Sequence, residues 1–169
     1  KGDFIALSII NENGNKYSLS EILQKTKISA SNDLLESLDN NEWLLVAYLQ
    51  NEVFSKAGVL GFNQAVEFKL GLIAKTNNPD LLRSALNSWE VTMTNDLKNL
   101  FNLNVAKATN EAFLDNIYGG ADIRYRNFPF ADSSIDYAIV NLPRFNLNYF
   151  VITNSRESAY SAVDLLQNQ

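Results

Sequence analysis

The chain has 169 residues, 46% of them apolar and 11% aromatic, which is ample for a packed interior and outside the composition of disordered chains. Its net charge of −5 (14 basic against 19 acidic residues), with no Lys/Arg cluster, argues against nucleic-acid binding, which needs a basic face to neutralise phosphates. Cys and His are both absent, which removes disulfides, the thiolate nucleophile, the His general base and the usual metal ligands, so neither a cofactor nor a metal is expected.

Phe4 to Ile10 is a short β-prone run followed by the tight-turn pair Asn13-Gly14. Asn11, Asn13, Asn15 and Glu21 imitate a calcium loop. Gly14 sits fourth rather than sixth, however, and Asn stands where carboxylates belong, so a plain turn is expected. Ser18-Leu19-Ser20-Glu21 fits a capping box and predicts a short helix to about Lys25. A second helix is expected after Ser31, with Leu34, Leu35 and Leu38 on one face.

Trp43 to Leu49 is apolar at every position and reads as a strand covered on both faces. Glu67 to Lys75 alternates, with Phe68, Leu70, Leu72 and Ala74 on one side. These two runs predict an antiparallel hairpin joined by a loop from Glu52 to Gln64, whose tip (Val53, Phe54, Val59, Leu60, Phe62) is unusually apolar. Asn78-Pro79 opens the longest helix, with Asn as cap and Pro at the first helical position. Its apolar stripe runs from Leu82 to Phe101, and the weak helix formers Val91 to Thr94 suggest a break at Thr94.

Beyond Asn104, Ala112 to Ile117, the turn Tyr118-Gly119-Gly120 and Asp122 to Phe128 predict another hairpin, ended by Pro129. Ile135 to Val140 and Leu147 to Thr153 predict the last one, followed by a helix capped by Asn154 or Ser155 that buries Ala159, Val163 and Leu166.

Two of these stretches echo each other. Thr76 to Leu86 aligns without a gap on Thr153 to Val163 at an offset of 77 positions, and an apolar run precedes each copy. Internal repetition speaks of architecture before chemistry. The expectation is a single α+β domain over residues 1–169: an antiparallel sheet with helices on one face, built from two related strand-strand-helix halves, approximately 1–104 and 105–169.

For chemistry, Asp132 and Asp136, with Asp122 and Glu67, are the candidates for a paired-carboxylate acid/base site, although Asp132-Ser133-Ser134 is also ordinary turn chemistry. No catalytic residue is assigned. Arg124, Tyr125, Arg126, Phe128 and Phe130, joined by Arg144, form an Arg/aromatic mixture of the type enriched at interfaces, and this is the expected binding surface. The apolar 53–62 loop needs a core, a partner or a lipid to cover it.

Leu147-Asn148-Tyr149-Phe150-Val151-Ile152-Thr153-Asn154-Ser155-Arg156-Glu157-Ser158 resembles a recurring phrase, a strand followed by Thr/Ser-x-Ser-x-Glu-Ser and a helix, in large bacterial envelope proteins, some from uncultivated candidate phyla. Asp3 to Ile9 and Leu70 to Lys75 are similar in style. The resemblance implies strand-strand-helix repeats held outside the cytoplasm by a membrane anchor. That group has no established activity, so no site residue carries over. No run here approaches the roughly 20 apolar residues of a membrane span. The start at Lys1-Gly2-Asp3 fits an anchor or signal outside this chain.

The expected function is therefore a non-catalytic extracytoplasmic binding or structural module of a bacterial envelope protein, its partner a protein or envelope component. One alternative is a carrier for an apolar, lipid-like ligand between sheet and helices, with the 53–62 loop as lid. Another is a carboxylate-dependent hydrolase using Asp132 or Asp136.

Overall fold

The computed structural model describes residues 2–54 and 60–168. In chain order the elements are β1 (Phe4–Leu7), α1 (Leu19–Lys25), α2 (Asn32–Ser37), β2 (Leu38–Phe54), β3 (Leu60–Thr76), α3 (Pro79–Leu97), β4 (Leu114–Tyr118), β5 (Ala121–Asn127), β6 (Ser134–Leu142), β7 (Leu147–Thr153) and α4 (Arg156–Gln167). The strands form one antiparallel sheet in the order β1-β2-β3-β7-β6-β5-β4. The α+β architecture follows the hydrophobic patterning.

Local chemistry sets the ends of the elements. Ser18 Oγ accepts from the Glu21 N–H while Glu21 Oε2 accepts from the Ser18 N–H at 2.8 Å, which completes the capping box of α1. Asn78 Oδ1 accepts from the Leu81 N–H at 3.1 Å and Pro79 opens α3. Ser155, rather than Asn154, caps α4 through the Ser158 N–H. The β4–β5 turn needs positive φ at both central positions, and Gly119 (56°) and Gly120 (75°) supply it without a Cβ clash. Helix α3 runs through Thr94 unbroken, because burial of Met93, Thr94 and Leu97 outweighs the weak propensity of Val91, Thr92 and Thr94.

The hairpin of β2 and β3 extends beyond the expected strands. Glu52, Val53 and Phe54 pair with Phe62, Gly61 and Leu60 after a register shift at Gln50/Glu52. The supposed loop is thus strand at its described ends. A bulge lets the ladder resume beyond Gln50, past the ends of the continuous apolar run at Trp43 to Leu49 and the alternating run at Glu67 to Lys75. The rest of that loop, residues 55–59, lies outside the described residues.

The helices occupy both faces of the sheet, which corrects the one-face expectation. One core joins α1, α2 and α3 (Leu19, Leu34, Leu82, Leu86, Met93) to Trp43, Ala74, Ile135, Tyr137, Phe150 and Ile152. The other joins α4 (Ala162, Val163, Leu166) to Val46, Ile73, Ile123, Ala138, Val140 and Val151. The reason is register parity. Ala74 pairs with Phe150, and Ile73 with Val151. Directly opposed residues share a face and successive ones alternate. Ala74 and its echo Val151, 77 positions on, therefore point to opposite sides. A two-fold axis normal to the sheet would keep equivalent residues on one face, so it cannot relate the two strand-strand-helix units, although both follow the same element order.

Candidate functional site

A cleft of about 650 Å³ opens between α3 and the β4–β5–β6 edge of the sheet, within the size range of ligand sites. Arg83, Asn87 and Glu90 line the helix wall, at spacings that place them on one side of α3. Asp115, Ile117, Asp122 and Arg124 line the sheet wall, and Leu86, Tyr137 and Ile139 form the floor. Arg124 and Asp122 share a face because strand residues two apart do.

Arg124 organises the cleft. Its Nε and Nη2 donate to the two oxygens of Glu90 at 2.8 and 2.7 Å, and its Nη1 donates to Asp115 Oδ1 at 2.8 Å. The Tyr137 hydroxyl donates to Glu90 Oε1 at 2.6 Å. The hydrogen bond to Glu90 raises the guanidinium's affinity for its proton above its already high ordinary value. Burial, reinforced by Glu90, pushes the Tyr137 phenol up as well. Arg124 thus stays charged and Tyr137 stays a neutral donor. Two carboxylates face one guanidinium here, and Asp122 adds a further acid. Arg83 is answered by Asp80 at 3.4 Å, so the cleft is acidic.

The expected binding residues do not form a single patch. Arg124 lies in the cleft. Arg126 shares its face, where Nε donates to Asn110 O at 2.9 Å and Nη1 to Thr94 Oγ1 at 3.2 Å. Tyr125 lies opposite Asp136, on the α4 side. Phe128, 2% exposed, belongs to the core beneath α1–α3, with the Arg126 guanidinium 5.6 Å from its ring centroid. Phe130 is half-buried in the turn before β6, and Arg144 is exposed in the turn between β6 and β7. Alternation along β5 separates Tyr125 from Arg124 and Arg126, while Phe128 and Phe130 follow the end of the strand. Sequence reasoning missed Glu90, Asp115 and Tyr137. The Arg83/Asn87/Glu90 stripe, polar beside an apolar one, was the available signal for the first.

The acidic candidates are likewise dispersed. Asp136 is 2% exposed, lies outside the cleft, and accepts from the Ser134 hydroxyl. Burial raises it to about 7 against the opposing pull of Ser134 and Arg156. Asp132 Oδ2 accepts from the Phe54 N–H at 3.1 Å, Glu67 pairs with Lys69 at 2.8 Å, and Asp122 faces the other side of the sheet from Asp136. Among the described residues no group of three or more Asp or Glu side chains could hold a metal ion.

Thr153 to Ser158, the second half of the Leu147 to Ser158 stretch that carried the resemblance, serves as a joint. Glu157 is buried at the start of α4 and accepts from Tyr48 Oη at 2.8 Å and from the Asn51 and Glu52 N–H groups at 3.1 and 2.7 Å. It ties α4 to β2. A smaller hollow of about 210 Å³ adjoins this joint, with Tyr118 and Tyr160 stacked at 3.9 Å beside it. On the opposite face, a wholly apolar pocket of about 110 Å³ lies between α1–α3 and the sheet.

Comparison with family models, curated proteins and solved structures finds no match. Among the described residues no helix is long and apolar enough to cross a membrane.

Proposed function

We propose that this chain is a non-catalytic, extracytoplasmic binding module of a bacterial envelope protein and that the α3–β5 cleft is its contact site. The carrying observation is that Arg124 is held by Glu90 and Asp115 at the centre of the cleft. A charge fixed by two partners presents a pre-organised surface, since its side-chain entropy is lost before any partner arrives. The same bonds engage Glu90, Arg124 and Tyr137 with one another, which weighs against a proton-transfer role for those three side chains. The location outside the cytoplasm rests on the resemblance at Leu147 to Ser158, with an anchor in segments outside this chain.

The lipid-carrier alternative has less support, because the apolar pocket of about 110 Å³ falls well below the volume of ordinary ligand sites. A photo-crosslinking amino acid at Asn87, in the cleft, is compared in cells with one at Val91, exposed elsewhere on α3. One reproducible adduct from position 87, absent from 91 and lost in Arg124→Ala, is the expected result. Identical patterns from both positions overturn the reading.

A further inference from the structure

We propose that β4 and the cleft beside it take up an extended, basic segment of a partner protein as an eighth strand. The inference rests on the cleft being the contact site and adds how the contact is made and by what chemistry.

The first observation is the backbone edge. β4 is the outermost strand beyond β5. The Tyr118/Ala121 pair closes a two-residue turn, so the pairs Ile117/Asp122 and Asp115/Arg124 are the ones without mutual backbone hydrogen bonds. Asp115 and Ile117 therefore turn their N–H and C=O groups away from the sheet, ready to pair with an added strand.

The second observation is independent of the first and concerns side chains. The same two residues line the cleft, Ile117 being 71% exposed and the Asp115 side chain 84% exposed. An incoming residue opposite either one points to the same face, toward the cleft. Glu90, Asp115 and Asp122 outnumber Arg124 and Arg83 there, and Arg83 is already met by Asp80 at 3.4 Å. A Lys or Arg side chain from the added strand reaches these carboxylates while its aliphatic stem lies on Ile117 and Ile139. A second copy of this chain fits poorly, because pairing β4 with β4 brings two sets of Asp115 and Asp122 together without a new cation.

The test uses capped synthetic octapeptides and the folded chain, read by fluorescence anisotropy and amide chemical shifts. The probe alternates lysine and valine; its controls are a glutamate–valine peptide and a lysine–valine peptide N-methylated at alternate amides. The expected result is binding of the lysine–valine peptide, with shifts confined to residues 114–118 and the cleft. The glutamate peptide, the methylated peptide and the Asp122→Lys variant each weaken binding by about tenfold or more. Asp122→Asn serves as a milder second variant should the reversal perturb folding. No binding at about 1 mM peptide, a thermodynamically trivial affinity, overturns the proposal. Shifts centred on Phe4–Leu7 overturn it as well. Equal binding of the methylated peptide overturns strand addition but leaves the cleft standing, which the cross-links from position 87 test separately.

Discussion

Arg124 on β5 grips Glu90 on α3 through two near-parallel hydrogen bonds, Nε to Oε1 at 2.8 Å and Nη2 to Oε2 at 2.7 Å. This fork-to-fork contact pins the helix to the sheet across 34 positions of chain. It also gives the cleft its fixed charge pattern.

Glu90→Gln keeps the shape and removes the charge, leaving Arg124 and Tyr137 imperfectly paired. The expected loss is about 1–3 kcal/mol in urea unfolding, the usual cost of leaving a half-buried polar partner unanswered. Arg124→Lys is expected to cost a similar amount, because an ammonium cannot span both oxygens. Asp115→Asn, at the exposed end of the same cluster, costs less than about 1 kcal/mol. Equal losses at positions 90 and 115 contradict this ranking.

Asp136 makes stability fall as pH rises. Its folded value of about 7 stands above its ordinary 3.8, so between those values the folded state keeps a proton that the unfolded state has released. The stabilisation is complete below about pH 4 and lost through about pH 7. Asp136→Asn removes this dependence. The variant should match the parent at pH 4 and exceed it at pH 8 by on the order of 2–4 kcal/mol, at about 1.4 kcal/mol for each tenfold in proton affinity. Parallel stability curves from pH 4 to 8 would rule this out.

The Tyr48 hydroxyl joins three segments. It donates to Glu157, lies 3.0 Å from Ser161 Oγ and accepts from the Gly2 N–H at 2.8 Å. Burial, countered by Ser161 and aided by Glu157, pushes its ionisation up to about 12. In a near-ultraviolet pH titration, Tyr48→Phe should remove absorbance only from the part of the curve well above the ordinary tyrosine range, near pH 12. It should also cost about 1–3 kcal/mol. Loss of an early-titrating tyrosine instead would refute the assignment.

The two cores should respond independently. Leu82→Ala, on the α1–α3 side, is expected to cost about 2–5 kcal/mol, as for other buried leucines. Val163→Ala, on the α4 side, adds to it within about 0.5 kcal/mol, because the sheet separates the two sites. A larger coupling in the double variant is incompatible with helices on opposite faces.

The capping box at Ser18/Glu21, the Asn78-Pro79 start of α3 and the Gly119-Gly120 turn were legible because each works within about four residues of itself. The hairpins were legible from a continuous apolar run at Trp43 to Leu49, alternation at Glu67 to Lys75 and turn residues between the later strands. The ends of β2 and β3 were not, since the bulge near Gln50 breaks the period while the ladder continues. Arg124 was legible as a binding candidate by residue type, whereas Phe128 four positions away proved to be core. Both lie on the α1–α3 side of the sheet, so cover and not alternation separates them: Phe128 sits past the end of β5 beneath the helices, and only packing decides that.

The echo of Thr76 to Leu86 in Thr153 to Val163 marks the clearest division between the two levels. The chain alone dictated that a strand feeds a capped helix twice, because patterning and caps are local. Only tertiary structure decided that α3 and α4 lie on opposite faces, and that Glu90 meets Arg124. Both depend on strand register, in which a one-residue slip exchanges every side chain between faces, and register is chosen by both cores packing at once.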